Sequence, residues 1–303
     1  MAPDPLLIGG IGAGLAAAVC QSGSYVFSRL AVLRHHGISQ LMVTAHLVMG
    51  LAAGVILPFA WTASVPPWTT YALPLLGSAV FYMLGQLGLF LLMRNVHASR
   101  VAPLLGLKLV VLAVITTTFL HQSLAISQWS ATALCVAAAL MLNYSGTALS
   151  PASLGCLALA CVSYSLSDLS IAVLVRSLRS LPMLHASILG VCLSYLLCGF
   201  AALALIPLLG VRRTVGDWHL ATPFAACWFL AMVFLYACFG TVGALYGNIL
   251  QSTRGLISVL LGAVLARMGW LTLESRVSRV VLMRRIAAAG LMSVAIWLFQ
   301  AWR

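Results

Sequence analysis

A few ionisable side chains interrupt otherwise apolar stretches of the sequence, and these residues are the best suited to bind a polar ligand. Lys108 is the only lysine of the chain and stands among leucines and valines. Counted from residue 98, where we expect its helix to begin, it would lie about 15 Å along that helix. At such a depth a lysine suits a carboxylate, a phosphate or an aspartate of the protein, so Lys108 is a candidate binding residue.

Asp168 is the one acidic residue well inside an apolar stretch. Cys161, Tyr164 and Ser165 precede it at spacings of three and four, which places all four side chains on one helix face. Asp168 could neutralise Lys108, bind a ligand amine or carry a proton. His46 stands near the middle of another apolar stretch. It could shuttle protons, or it could be a hydrogen-bonded packing residue.

Further polar and aromatic residues recur every three or four positions, a pattern typical of helix faces that meet protein or water. They could line a cavity, or they could form ordinary hydrogen bonds between helices. Arg100 and Arg254 each open a predicted helix and could gate the path of an anion or anchor the helix end at lipid headgroups. The candidates for the cavity lining are Gln21, Tyr25, Tyr82, Gln86 and Tyr236, accompanied by Ser24, Ser28, Ser78, Trp228 and Met232.

The composition indicates what kind of protein positions these residues. Hydrophobic residues make up 63% of the chain and charged residues 7%, whereas a soluble domain carries roughly 25% charged residues. The chain therefore cannot cover a water-facing surface, and it is too apolar for intrinsic disorder. Its apolar residues come in long runs and do not alternate with polar ones. We therefore expect an all-α polytopic membrane protein and not a β-barrel.

A bilayer core needs roughly 20 apolar residues per helix, and ten segments meet this requirement. Connections between them are short and contain glycine or proline, so no soluble domain is expected. The predicted spans are residues 6–30, 38–60, 71–93, 98–120, 127–144, 151–175, 184–210, 223–247, 254–268 and 280–302.

The basic residues indicate how these spans are oriented. Lys108 aside, the connections after the odd-numbered helices and the adjoining helix ends hold eleven arginines, and the opposite side holds four. Because basic loops stay on the cytoplasmic side, both termini are predicted outside the cytoplasm of what would be a bacterial inner membrane. The net charge of +12 is then a topological signal, and no nucleic-acid partner is expected.

An internal repeat divides the chain. Matches at a constant offset of 154 residues pair Tyr82 with Tyr236, Leu91 with Leu245, Arg100 with Arg254, and Leu107 with Leu261. They predict two five-helix halves, residues 1–146 and 147–303. An odd number of helices per half makes the halves inverted relative to each other, which is the sequence mark of alternating-access transporters.

The sequence resembles the drug/metabolite transporter superfamily, and within it the EamA-type ten-helix transporters. The resemblance is carried by Ala98-Ser-Arg-Val-Ala-Pro103 and Ser252-Thr-Arg-Gly-Leu-Ile257 at the starts of the two fourth helices, and by Glu274 near the end of the second of these. His121 stands where the first half of a family member would carry the corresponding glutamate. The resemblance implies a transporter of amino acids, sugars or other small metabolites.

These observations together predict a secondary transporter for a small polar, anionic or carboxylate-bearing metabolite. A flippase for a lipid-linked sugar or phosphate on the same fold is the alternative. The chain shows no nucleophile and base at catalytic spacing and no metal-binding motif, so no enzyme activity, cofactor or metal is expected. The partners expected are a small-molecule substrate and the lipid bilayer, and a homodimer is left open.

Overall fold

The computed structural model describes residues 5–33, 38–93, 104–142, 149–209, 215–254 and 279–301, with residues 257, 261 and 264 singly. Within these residues the chain forms ten α-helices and a short 3-10 turn, Leu105–Leu107. The apolar runs form helices because an α-helix satisfies its own backbone groups in lipid. The helices are α1 (Pro5–Leu33), α2 (Ile38–Ala60), α3 (Trp68–Met93), α4 (Lys108–Thr118), α5 (Ile126–Leu142), α6 (Pro151–Ser177), α7 (Met183–Leu209), α8 (Val215–Val242), α9 (Ala244–Ser252) and α10 (Arg279–Ala301).

Six of these helices, α1, α2, α3, α6, α7 and α8, are long and apolar enough to cross a membrane. Residues 105–118 and 290–299 form shorter apolar helical segments. The prediction of an integral α-helical membrane protein is therefore confirmed, whereas ten complete spans and the inverted halves remain predictions. Most of the ninth predicted span, residues 254–268, lies outside the described residues.

Two predicted helix boundaries differ from the structure. Lys108 is the first residue of α4 and follows the 3-10 turn, so it does not lie in the middle of a continuous helix within the described part of the chain. The eighth span, predicted to reach residue 247, ends at Val242. Gly243 follows with φ of +86°, a conformation that side chains with a Cβ rarely adopt, and it interrupts the helix before α9 begins.

The largest helix interfaces in the described chain join α1 with α8, α3 with α6, α2 with α7, and α5 with α10. Each pair takes one helix from the predicted first half and one from the second. The start of α6 is well defined, because the Ser150 hydroxyl accepts a hydrogen bond from the Ser153 backbone N–H at 3.2 Å and Pro151 occupies the first turn.

At the crossing of α2 and α7 the two backbones touch. A Cβ added to Gly50 would lie 2.8 Å from the Gly199 Cα, and a Cβ on Gly199 would lie 2.9 Å from the Gly50 Cα. Membrane helices use small residues in this way, because close approach increases van der Waals contact where lipid offers no hydrophobic driving force. The Gly50-x-x-x-Gly54 motif of the sequence therefore marks a real interface at its first glycine.

We expect Gly50→Ala to destabilise the purified protein by about 1–3 kcal/mol, since the added methyl group must push two backbones apart. Gly155→Ala is the matched control, because a Cβ at Gly155 of α6 would meet no atom within 4 Å. The melting temperature in detergent measures both. Equal shifts for the two variants would contradict a tight crossing at Gly50.

Candidate functional site

Lys108 and Asp168 form a buried ion pair between α4 and α6. The Lys108 Nζ lies 3.0 Å from the Asp168 Oδ2, and the two side chains are 11% and 9% exposed. The Ser165 hydroxyl, one turn before Asp168, lies 3.2 Å from the Lys108 backbone carbonyl and donates to the Cys161 carbonyl at 2.7 Å. The start of α4 is thus attached to α6 through both its side chain and its backbone.

The depth of this pair is better measured along α6 than along α4. Asp168 lies nine residues before Ser177, the end of a 27-residue helix. At 1.5 Å per residue this is about 14 Å from the nearer end, or roughly half of a hydrocarbon core of about 30 Å. The pairing places Lys108 at the same level, although the sequence-based distance from residue 98 does not apply.

Asn248 of α9 is the third member of this group. Its side-chain amide donates to the Asp168 Oδ2 at 2.8 Å and to the Ala244 carbonyl at 2.9 Å. The Asn248 Oδ1 is buried and has no hydrogen-bond partner. We call Lys108, Asp168, Ser165 and Asn248 the ionic cluster. Sequence reasoning missed Asn248, although an asparagine in an apolar helix three residues before Gln251 and six before Arg254 was a usable signal.

Arg254 lies two residues after the end of α9 and binds α1. Its Nη1 donates to the Gln21 Oε1 at 3.0 Å, and its backbone carbonyl accepts a hydrogen bond from the Ser22 hydroxyl at 3.0 Å. No carboxylate among the described side chains pairs with it. Gln251 precedes it by three residues, and its buried Nε2 has no partner. Arg254 therefore connects the end of α9 to α1 and has further guanidinium N–H donors beyond the one that binds Gln21.

The second group of predicted residues surrounds Tyr82. The Tyr82 hydroxyl lies 3.0 Å from the His46 Nε2 and accepts a hydrogen bond from the Gln86 Nε2 at 2.9 Å. The Tyr82 ring centroid lies 6.3 Å from that of Tyr164 and 5.8 Å from that of Tyr195. These five residues, from α2, α3, α6 and α7, are called the aromatic cluster.

Tyr195 was not among the predicted residues, yet it is at the centre of the aromatic cluster. Its ring stacks on His46 at a centroid distance of 6.4 Å, and its hydroxyl accepts a hydrogen bond from the Trp228 Nε1 at 2.7 Å. Tyr195 does not belong to a row of polar residues at helical spacing on α7. Its neighbour Ser194 lies within hydrogen-bond distance of Ser78. A lone tyrosine in an apolar stretch gives little sequence signal.

Several of the predicted site residues thus belong to two adjacent clusters. Tyr164 and Ser165 are neighbours on α6 and connect the aromatic cluster to the ionic cluster. Tyr236 of α8 is buried and packs beside Gly190 of α7. The structure also places Gln21 with Arg254. Arg100, Glu274 and the side chain of Tyr25 lie outside the described residues, so those predictions are not tested.

Comparisons with known proteins find a family similarity over the first part of the chain. Residues 8–144 match the EamA-like transporter family, and these bounds nearly coincide with the predicted first half. A solved structure described as "Crystal structure of protein" superposes with a TM-score of 0.66, covering 95% of this chain and 98% of that one at 13% identity. That likeness supports the fold alone. No curated protein sequence matches the chain.

The family match, the helical fold and the apolar spans agree with one another. The EamA-like family consists of transporters and belongs to the drug/metabolite transporter superfamily. Because its matched residues include α1 to α5, the match covers Lys108, His46, Tyr82 and Gln86. Residues 8–144 are therefore similar to the EamA-like transporters, and the described chain has six helices apolar enough to cross a membrane.

Proposed function

We propose that the protein is a secondary transporter that moves a small polar, anionic or carboxylate-bearing metabolite, such as an amino acid or organic acid, by alternating access. The observation that carries the proposal is the buried ionic cluster, in which Lys108 of α4 meets Asp168 of α6 and Asn248 of α9. Burying an ion pair costs free energy of desolvation, so a charged group at this depth usually serves a pathway through the membrane.

The packing of helices supports two repeated halves, residues 1–146 and 147–303. If α1, α2, α3 and α5 correspond to α6, α7, α8 and α10, the α1–α8 interface corresponds to the α6–α3 interface. The α2–α7 and α5–α10 interfaces each correspond to themselves. All four are the most extensive interfaces of the described chain. Such a pattern is expected when two halves pack about a pseudo-two-fold axis, with the binding site between them.

The distribution of charge supports an anionic group on the substrate. Asp168 already neutralises Lys108, so an incoming carboxylate would gain little from that lysine unless the pair opened. Arg254 has an amide oxygen as its hydrogen-bond partner and no acid among the described residues. Arginine binds carboxylate and phosphate groups with two parallel hydrogen bonds. We therefore assign the anionic group of the substrate to Arg254, and the remaining polar groups to the ionic cluster.

The arginine distribution supports an orientation with both termini outside the cytoplasm of a bacterial inner membrane. Eleven arginines lie on the proposed cytoplasmic side and four on the other. Lysine and arginine in short loops set orientation through this imbalance. Cysteine accessibility at the loop around residue 64, between α2 and α3, would test it, because this loop should then face outward.

Counterflow in liposomes tests the transport proposal directly. The purified protein would be loaded with amino acids, organic acids or sugar phosphates and supplied with the labelled form of each. We expect exchange of at least one carboxylate- or phosphate-bearing solute and none of uncharged sugars. If no soluble solute exchanges but a labelled lipid-linked sugar crosses the bilayer, the flippase alternative replaces this proposal.

A further inference from the structure

The hydrogen bonds of the aromatic cluster have a defined direction. The His46 Nδ1 lies 2.8 Å from the Met42 carbonyl oxygen, which can only accept, so Nδ1 carries the proton. In a neutral imidazole the other nitrogen is then an acceptor, and the Tyr82 hydroxyl donates to it across 3.0 Å. The Gln86 amide nitrogen donates to the Tyr82 oxygen across 2.9 Å. The chain of donors therefore runs from Gln86 through Tyr82 to His46.

This direction leaves one polar atom unpaired. Gln86 is only 5% exposed, and its buried Oε1 has no hydrogen-bond partner. An unpaired buried acceptor costs free energy, and a side chain that could rotate its amide would normally avoid the cost. In the observed direction Gln86 must present its nitrogen to Tyr82, so the unpaired oxygen is a consequence of the neutral His46.

We propose that His46 is the binding site of a coupling proton and that Tyr82 and Gln86 register its arrival by reversing their hydrogen bonds. A proton from water binds the His46 Nε2, which then donates to the Tyr82 oxygen. Tyr82 keeps its own proton and turns it toward Gln86, whose amide rotates so that Oε1 accepts. The only net change is one proton gained by His46. In the reversed arrangement the Gln86 Oε1 accepts a hydrogen bond from Tyr82, whereas it is unpaired when His46 is neutral.

The residues around His46 offer its imidazolium charge few partners besides Tyr82 and Gln86. The titratable groups that face it are Tyr82 of α3 and Tyr195 of α7. Cys198 of α7 and Tyr236 of α8 lie within electrostatic range of Tyr82. All four are neutral at physiological pH. Asp168 is held by Lys108 and Asn248, and no described carboxylate contacts the imidazole. The imidazolium would therefore depend on Tyr82 and Gln86 for stabilisation.

Further contacts connect His46 to the ionic cluster, which we propose to bind the substrate. Tyr82 packs on Tyr164. The Tyr164 ring also lies against Gly85 of α3, because a Cβ added to Gly85 would be only 2.7 Å from the Tyr164 Cδ1. Ser165, the next residue, lies within hydrogen-bond distance of the Lys108 carbonyl. Tyr82 therefore contacts, through Tyr164, the helix that carries Asp168. In the proposal, the two arrangements of the Tyr82–Gln86 hydrogen bonds are the two-state element that both sites bias. The inference rests on the proposed transport function, and it adds the coupling ion to it.

Uptake driven by a pH gradient distinguishes loss of proton coupling from loss of substrate binding. Liposomes with wild-type protein would receive a pH gradient and a labelled solute found by counterflow, and we expect accumulation above equilibrium. His46→Gln should keep counterflow but lose accumulation at least tenfold. His185→Gln is the matched control, because His185 also binds a carbonyl, that of Ala60 at 2.7 Å, away from the cluster. It should keep both activities. Accumulation that survives in His46→Gln would overturn the proposal.

A spectroscopic measurement decides the case in which His46→Gln loses all transport. In protein labelled with 15N-histidine, the His46 resonances are identified by their absence from His46→Gln. We expect the neutral form, protonated on Nδ1, at pH 8 and the doubly protonated form at pH 5. A His46 that stays neutral over this range overturns the proton site whatever the transport data show. Absence of counterflow in the wild type, by contrast, would count against the proposed function alone.

Discussion

Lys108→Ala is expected to abolish transport and to lower the free energy of unfolding by about 3–5 kcal/mol, because it leaves the Asp168 carboxylate buried without its partner. Asn248 would still donate to that carboxylate, but one neutral amide cannot offset a full charge. Asp168→Asn is also expected to destabilise the protein, because it leaves the Lys108 ammonium buried without its carboxylate partner. Melting temperature in detergent and counterflow in liposomes measure the two effects.

The double variant Lys108→Met with Asp168→Asn separates stability from transport. It removes both charges while keeping similar volumes, so we expect most of the lost stability to return, as is common when a buried ion pair is replaced as a unit. Transport should stay absent, since the proposed substrate groups have then lost their charged partners. If the double variant transports at the wild-type rate, the pair is structural, and the central binding site of our proposal is wrong.

The class of the protein could be read from the sequence because it rests on bulk composition. Long apolar runs have one outcome in a bilayer, and α1, α2, α3, α6, α7 and α8 follow it. The boundary at Gly243 could not be read, because a glycine near the end of an apolar run is compatible with a continuous helix. The structure shows the break through the positive φ of Gly243, after which Gly247 of α9 packs against Phe239 of α8.

The site was partly predictable for a related reason. Lys108 and Asp168 are conspicuous because charge is expensive in lipid, and that argument needs no knowledge of the fold. The helix-face argument also gathered Tyr82, Gln86 and Ser165. It could not supply Asn248 or Tyr195, because an uncharged residue in an apolar helix is inexpensive and its partners come from distant helices. Such residues become visible only when α9 and α7 are placed beside α6 and α3.

Arg254→Gln gives the second large effect that we expect, an increase in KM of about 10- to 100-fold for an anionic substrate. A hydrogen bond to a charged group contributes about 1.5–3 kcal/mol, and each 1.4 kcal/mol corresponds to a factor of ten in affinity. The glutamine can still pair with Gln21, so the contact between α9 and α1 need not be lost. Arg254→Lys should fall between the wild type and Arg254→Gln, because it keeps the charge but not the planar fork.

The matched control for Arg254 is Arg179→Gln, which removes an exposed arginine from the turn after α6. Its KM should change less than twofold. A general loss of charge would instead raise KM in both variants, and a loss of folding would lower the maximal rate without a selective change in KM. Comparison of a carboxylate substrate with its neutral amide sharpens the test. If Arg254 binds the anionic group, Arg254→Gln weakens the acid far more than the amide. Equal weakening of the two would assign Arg254 to helix packing and leave the anion without a described binding residue.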